Sequence, residues 1–223
     1  MDITTLFNLS YGLYVIGAKD GERNVGCLVN TVTQSTVEPV TLTVCVNKDN
    51  YSNECIKKTK AFSVSILSEQ AKEGVFGVFG FASSKERDKF AEVPMGLTPG
   101  GLPYVSEGVT GYLQCKVIGV VENFTHTIFI GEVEEAENLS KEKPMTYAYY
   151  HSVIRGKTPK NASTYVAEDV RDKADAAAKP AAAYVCDVCG YKFDGSREEF
   201  DGLPDTYVCP ICHVPKERFS WKE

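Results

Sequence analysis

The 223-residue sequence has no unbroken apolar run of about 18 residues, so no segment reads as a membrane-spanning helix. Its first residues, MDITTLFNLSYGLYVIG, carry an early acid and no basic stretch ahead of the apolar one, which does not fit a secretory leader. Neither a GxGxxG turn nor a P-loop occurs, so a nucleotide cofactor would need another cradle. Positive charge is in deficit: 24 Lys and Arg face 30 Asp and Glu, and the net charge of −6 argues against nucleic acid or an anionic membrane as partner. There is no internal repeat. These absences leave an acidic, globular, cytoplasmic protein as the expectation, and its 43% hydrophobic content is enough for a core.

Cysteine, by contrast, is plentiful. Cys27, Cys45, Cys55 and Cys115 are scattered through apolar segments and read as reduced, buried small hydrophobes. The other four form two Cys-x-x-Cys knuckles, Cys186/Cys189 and Cys209/Cys212, near the C-terminus. Four soft thiolates at this spacing can converge tetrahedrally on one zinc or iron.

Composition changes abruptly over 166–183, VAEDVRDKADAAAKPAAA, which has no aromatic residue and ends its alanine run around Pro180. The segment reads as a linker that spans at most roughly 60 Å when extended. It divides the chain into a domain at 1–165 and a small one at 184–223. The large domain is β-rich. Val40, Leu42, Val44 and Val46 alternate with Thr41, Thr43, Cys45 and Asn47, and further strands are expected at 12–18, 27–34, 61–67, 112–122 and 127–135. Short helices are expected at 51–59, capped by Asn50, and at 69–79. Many strands with few helices indicate a barrel rather than a doubly wound sheet.

Zinc and iron are not separated by the knuckles alone. The surrounding text, YVCDVCGYKFD and LPDTYVCPICHVPKERF with its dense aromatics, resembles rubredoxin, and that resemblance implies one iron. Where rubredoxins continue the second knuckle with glycine, this chain has His213, which implies either local strain or an effect on the iron's potential. A surface histidine is the plainer reading.

The large domain has small polar residues at strand ends and at a helix start, suited to a flavin ring edge, a ribityl chain and a phosphate, although such residues are also ordinary solvated turns. SYGLYV, NTVTQ, VNKDNYS, FGFASSKERDKF and HTIFIGEV resemble the flavin reductase-like family, whose members are FMN-binding split β-barrels, usually homodimeric. The resemblance implies that Asn30, Thr31, Thr33 and Gln34 line the isoalloxazine and ribityl, that Asn47, Lys48 and Ser52 hold ribityl and phosphate, and that Ser83 approaches the cofactor, with Lys85 or Lys89 adding charge. Many members carry Gly-Asp-His, associated with nicotinamide binding; here the text is Phe124-Thr125-His126, leaving His126 as the candidate catalytic residue. The alternative for His126 is a strand-edge histidine bound to a backbone carbonyl. The turn-rich stretch 149–165, with His151, Arg155 and Lys157, reads as a dimer-interface element or a flap over the flavin.

A flavin domain tethered to a one-iron domain resembles the high-molecular-weight rubredoxins. The implied role is electron transfer from NAD(P)H through FMN to an iron held by four cysteines, and on to an acceptor such as a flavodiiron protein that reduces nitric oxide or dioxygen. Two alternatives remain: a flavin reductase with a structural zinc module, and a non-enzymatic shuttle reduced by a separate reductase.

Overall fold

The computed structural model describes residues 2–154, 158–166, 183–188, 191, 193, 195–210 and 214–222. The chain divides into two compact units, Met1–Tyr165 and Val166–Glu223.

In the first unit, strands β1 (Tyr14–Asp20), β2 (Arg23–Val29), β3 (Val32–Val37), β4 (Val40–Asn47), β5 (Ala61–Leu67), β8 (Val109–Asn123) and β9 (His126–Asn138) form one antiparallel sheet. Its order is β2-β1-β5-β8-β9-β4-β3. A two-stranded ribbon, β6 (Met95–Leu97) with β7 (Pro103–Val105), lies beside it, and helices α1 (Tyr51–Thr59), α2 (Glu73–Phe81) and α3 (Tyr147–Ser152) interrupt the strands. The end strands β2 and β3 follow one another in sequence, yet each pairs elsewhere, β2 with β1 and β3 with β4. The barrel is therefore split between them.

That split revises one expectation. The run 27–34 has continuous strand propensity, but the chain breaks at Asn30 and Thr31 because its hydrogen-bonding partner changes there from β1 to β4. The second helix runs Glu73–Phe81 rather than 69–79, whereas α1 and β5 span 51–59 and 61–67 as expected, and β4 buries Leu42, Val44 and Val46 while Cys45 and Asn47 stay half-buried on the other face. On β1, the neighbours Val15 and Ile16 are both fully buried although they point to opposite faces. One joins a core of Leu67, Phe76, Phe79 and Phe90; the other joins the barrel interior with Val44, Phe62 and Phe129. Gly17 permits this sandwiching, since a Cβ there would lie 2.1 Å from the Pro103 carbonyl oxygen.

The second unit contains β10 (Ala183–Cys186), paired antiparallel with β11 (Phe219–Lys222), and helix α4 (Arg197–Asp201), which starts in a reciprocal capping box between Ser196 and Glu199. Its core is Cys186, Phe200, Cys209 and Phe219, ringed by Tyr184, Tyr191, Phe193 and Tyr207. Among the described residues, no helix is long and apolar enough to cross a membrane.

Candidate functional site

Where the barrel splits, an open cleft is walled by residues from β2, β4, β9 and α3. Strand register explains which sequence-predicted residues meet there. Asn47 on β4 is paired directly with His126 on β9, so both side chains project from the same face, and Cys45 lies two residues back on that face. Opposite them, the break after β2 places Asn30 and Thr31 in the wall. Thr31 is seated on β4 twice: its carbonyl accepts from the Cys45 amide at 3.4 Å, and its hydroxyl donates to the Cys45 carbonyl at 3.4 Å. Leu13, Leu28, Tyr147 and Tyr150 supply apolar wall.

Burial lowers the His126 pKa, with the nearby Asn161 backbone opposing the shift, which favours the neutral ring. His126 opens β9 and lines the cleft. Its Nδ1 lies 2.9 Å from the Thr125 hydroxyl. The Cys45 thiol is pushed up by burial.

The start of α1 lies at the cleft edge through Asn50. Asn50 occupies the N-cap position, but its side chain makes no cap bond. In the first turn Ser52 is fully buried, and its hydroxyl has no oxygen or nitrogen partner; the Cys27 thiol, a weak acceptor, is its neighbour. Lys85 hangs over the ring of Tyr51, the first residue of α1, with Nζ 5.3 Å from the centroid. The uncapped helix start at the cleft edge, the orphaned Ser52 hydroxyl behind it, and Lys85, whose Nζ also lies 3.7 Å from a Glu54 carboxylate oxygen, are the groups available to a phosphate. Together with the amides of Asn30 and Asn47, they fit a flavin mononucleotide.

Other expected residues are elsewhere. Thr33 is exposed on β3, and Gln34 faces a second groove, its Nε2 donating to the Thr36 carbonyl at 3.3 Å. Lys48 is drawn to Glu122 at 3.0 Å, where Lys57 also reaches at 2.7 Å, and the two cations hold the Glu122 carboxyl down at about 2. Ser83 is exposed and accepts from the Lys85 amide, whereas its neighbour Ser84 is buried and ties both the amide and the carbonyl of Gly26. Lys89 is also buried, its Nζ spent on the carbonyls of Gly26 and Phe79 at 3.0 and 3.3 Å.

Sequence reasoning did not single out Cys45 or Tyr147, both of which line the cleft. For Cys45 a signal was present, since its phase in β4 matches that of Asn47. The stretch 149–165, expected as an interface element or a flap over the flavin, contributes Tyr150, Pro159, Asn161, Ala162 and Ser163 to the lining.

In the small unit, Cys186 and Cys209 are 1% and 0% exposed within one aromatic cluster. Each opens its knuckle with the same bond: the Cys186 amide donates to the Tyr191 carbonyl and the Cys209 amide to the Val214 carbonyl, both at 2.8 Å. Cys189, Gly190, Cys212 and His213 lie outside the described residues, as do Arg155 and Lys157 and the linker from 167 to 182. Among the described residues alone, no group of three or more His, Cys, Asp or Glu side chains could hold a metal.

Residues 6–158 match the family described as "Flavin reductase like domain". The chain is similar to the high molecular weight rubredoxin of Moorella thermoacetica, with 42% identity over 99% of both chains. It is also similar to the ferric-chelate reductase (NAD(P)H) of Archaeoglobus fulgidus, 37% identical over 74% of this chain and 98% of the relative. Among solved structures, the NADH:FAD oxidoreductase SgcE6 of Streptomyces globisporus superimposes with a TM-score of 0.58 at 25% identity, covering 64% of this chain and 84% of that one. An FMN-binding protein from Thermus thermophilus shares the fold at a TM-score of 0.54 and 21% identity, covering 59% and 73%. With the split barrel, its polar cleft and a family match spanning more than half of its length, the chain belongs to the flavin reductase like family, and its role is flavin-based electron transfer.

Proposed function

We propose that the protein is an NAD(P)H-dependent oxidoreductase that passes electrons through FMN in the barrel cleft to one iron held by Cys186, Cys189, Cys209 and Cys212. A soluble redox protein, such as a flavodiiron reductase of nitric oxide or dioxygen, then takes them up. The observation that carries the reading is similarity to a high molecular weight rubredoxin along 99% of both chains, small unit included.

Bound FMN would supply hydride acceptance and single-electron release, and a four-thiolate iron one-electron transfer with little rearrangement. The protein's own residues do the positioning. Asn30 and Asn47 offer carboxamides to the ring edge and ribityl chain. Leu13, Leu28, Tyr147 and Tyr150 keep water off the ring. The first turn of α1, with Ser52 and Lys85, receives the phosphate. Neutral His126 offers an uncharged ring nitrogen to an incoming nicotinamide, which places the donor without adding charge. Cys186 and Cys209 bring two thiolates into an aromatic shell, where few waters reorganise when the charge changes.

A homodimer belongs to the same proposal. A second open groove is lined by exposed Val40 and half-buried Val32, Ile66, Leu113 and Val133, apolar surface that a second copy would cover. Sedimentation at micromolar concentration reads this directly.

The decisive experiment is anaerobic stopped-flow mixing of the metal-analysed full chain with NADH. Flavin absorbance should bleach first and ferric-thiolate absorbance second, with iron near one per chain. Zinc in place of iron would convert the small unit into a folding or docking module. Failure of both chromophores to bleach, with iron and FMN present, would leave a shuttle that needs a separate reductase.

A further inference from the structure

The cleft already has an occupant along one wall: residues 158–165 of the same chain. Two turn bonds, from the Ala162 amide to the Pro159 carbonyl at 2.9 Å and from the Tyr165 amide to the Ala162 carbonyl at 3.0 Å, fold this stretch compactly. It is latched at two points. At one, the Asn30 amide nitrogen donates to the Thr164 hydroxyl at 2.7 Å, and Asn30 Oδ1 accepts from the Ser163 hydroxyl at 3.4 Å. At the other, the Tyr147 hydroxyl lies 2.7 Å from that of Thr158 and accepts from that of Thr164 at 3.3 Å. Asn161 and His126 line the cleft together. Pro159 rests near Gly80 of α2, where an added Cβ would sit 3.3 Å from its ring.

We infer that residues 158–165 form a strap that competes with the flavin for Asn30, so that the cleft loads only when the strap lets go. This rests on the reading of the cleft as the flavin site. Asn30 is 4% exposed and has a single carboxamide; Ser163 engages its oxygen and Thr164 one of its two N–H donors, so a ring edge meets only the second N–H until the strap yields. The latches are side-chain hydrogen bonds at an open cleft rather than rungs of a ladder, the kind of contact a ligand displaces readily.

The test is FMN titration of the full chain, stripped of flavin but with its metal retained, for the wild type, Thr164→Val and Ser163→Ala, alongside hydrogen exchange of 158–165 with and without FMN. A competing strap gives tighter FMN binding in both variants, about 5-fold for Thr164→Val and less for Ser163→Ala, and faster exchange of 158–165 once FMN is bound. Weaker binding in the variants with slower exchange on loading would make the strap part of the holo site and overturn the inference, as would unchanged affinity. Absence of FMN binding in all three proteins would instead sink the flavin reading itself, and the strap with it. Binding by the variants alone would be the strongest support.

Discussion

The barrel unit and the small C-terminal unit both bury cysteines, in different backbone settings. Cys27 and Cys115 are fully buried in the barrel, where burial pushes their thiols up to about 11 and about 12. They stay protonated and pack as small hydrophobes among Val64, Phe62 and Phe129. Cys186 and Cys209 are as deeply buried, but each opens a tight turn closed by a bond from its own amide to the carbonyl five residues on. Among the described residues, the barrel has two apolar clusters to hold it; the small unit has one, and two of its four buried members are cysteines. Burial alone therefore does not separate the barrel thiols from the two proposed as ligands. The backbone around them differs, as does how much apolar core remains when the thiol is discounted.

The largest test of this contrast is Cys209→Ala. Metal content should fall from about one per chain towards zero, and the near-ultraviolet circular dichroism of the aromatic shell should collapse, because metal binding supplies most of the folding free energy in so small a unit. Barrel flavin content should not change. Cys115→Ala should do the reverse, leaving metal intact and lowering barrel stability by about 1 kcal/mol. If both variants lost metal, the proposed division of labour would fail.

Phe129→Ala comes next. It removes a fully buried ring from the barrel interior at a cost of about 3–5 kcal/mol, lowering the barrel's melting temperature by roughly 10 °C while iron remains bound. Calorimetry should resolve the two units as separate transitions; a single shared transition would show that they do not fold independently.

Within the barrel, Ser52→Ala separates stability from ligand binding. The hydroxyl has no oxygen or nitrogen partner, so its loss should move stability by no more than about 0.5 kcal/mol. FMN affinity should drop about tenfold, read by fluorescence titration, if that hydroxyl is kept for the phosphate. An unaltered affinity would return Ser52 to the core.

The smallest effect concerns Lys48. Glu122→Gln removes the carboxylate that holds Lys48 and should tighten FMN two- to threefold at low ionic strength, with the gain gone in about 0.5 M salt. The sign of the pH dependence follows from the depressed carboxyl. The stabilisation from Glu122 is fully present above the unfolded carboxylate range near 4.5, and it is lost as pH falls from there through about 2. Wild type and Glu122→Gln should therefore differ in stability at pH 6 and converge near pH 2.

Much of the scaffold is legible from local chemistry. Alternation along 40–47 marks β4 and assigns Leu42, Val44 and Val46 to the core; the apolar spacing over 51–59 marks α1 and its inner residues Cys55 and Ile56. The site is less so. Asn30, Thr31, Asn47 and His126 meet in one cleft, but Thr33 and Gln34, only a few residues on, do not. A strand's pattern records which side chains alternate, not which neighbouring strand accepts its hydrogen bonds, so the switch of partner at Asn30 leaves no trace in the run 27–34. Lys48 was similarly opaque: an ammonium at a strand end is available to a phosphate until a carboxylate 74 residues away reaches it first.

The sequence by itself determined the division into a β-rich domain, a linker-like stretch and a cysteine-knuckled module, because composition, period two and ligand spacing are local properties of the chain. Only the tertiary structure decided where the barrel opens, which polar side chains share the opening, and that residues 158–165 lie across it. Those outcomes depend on contacts between segments more than a hundred residues apart, such as Asn30 with Thr164, whose energies no local pattern records.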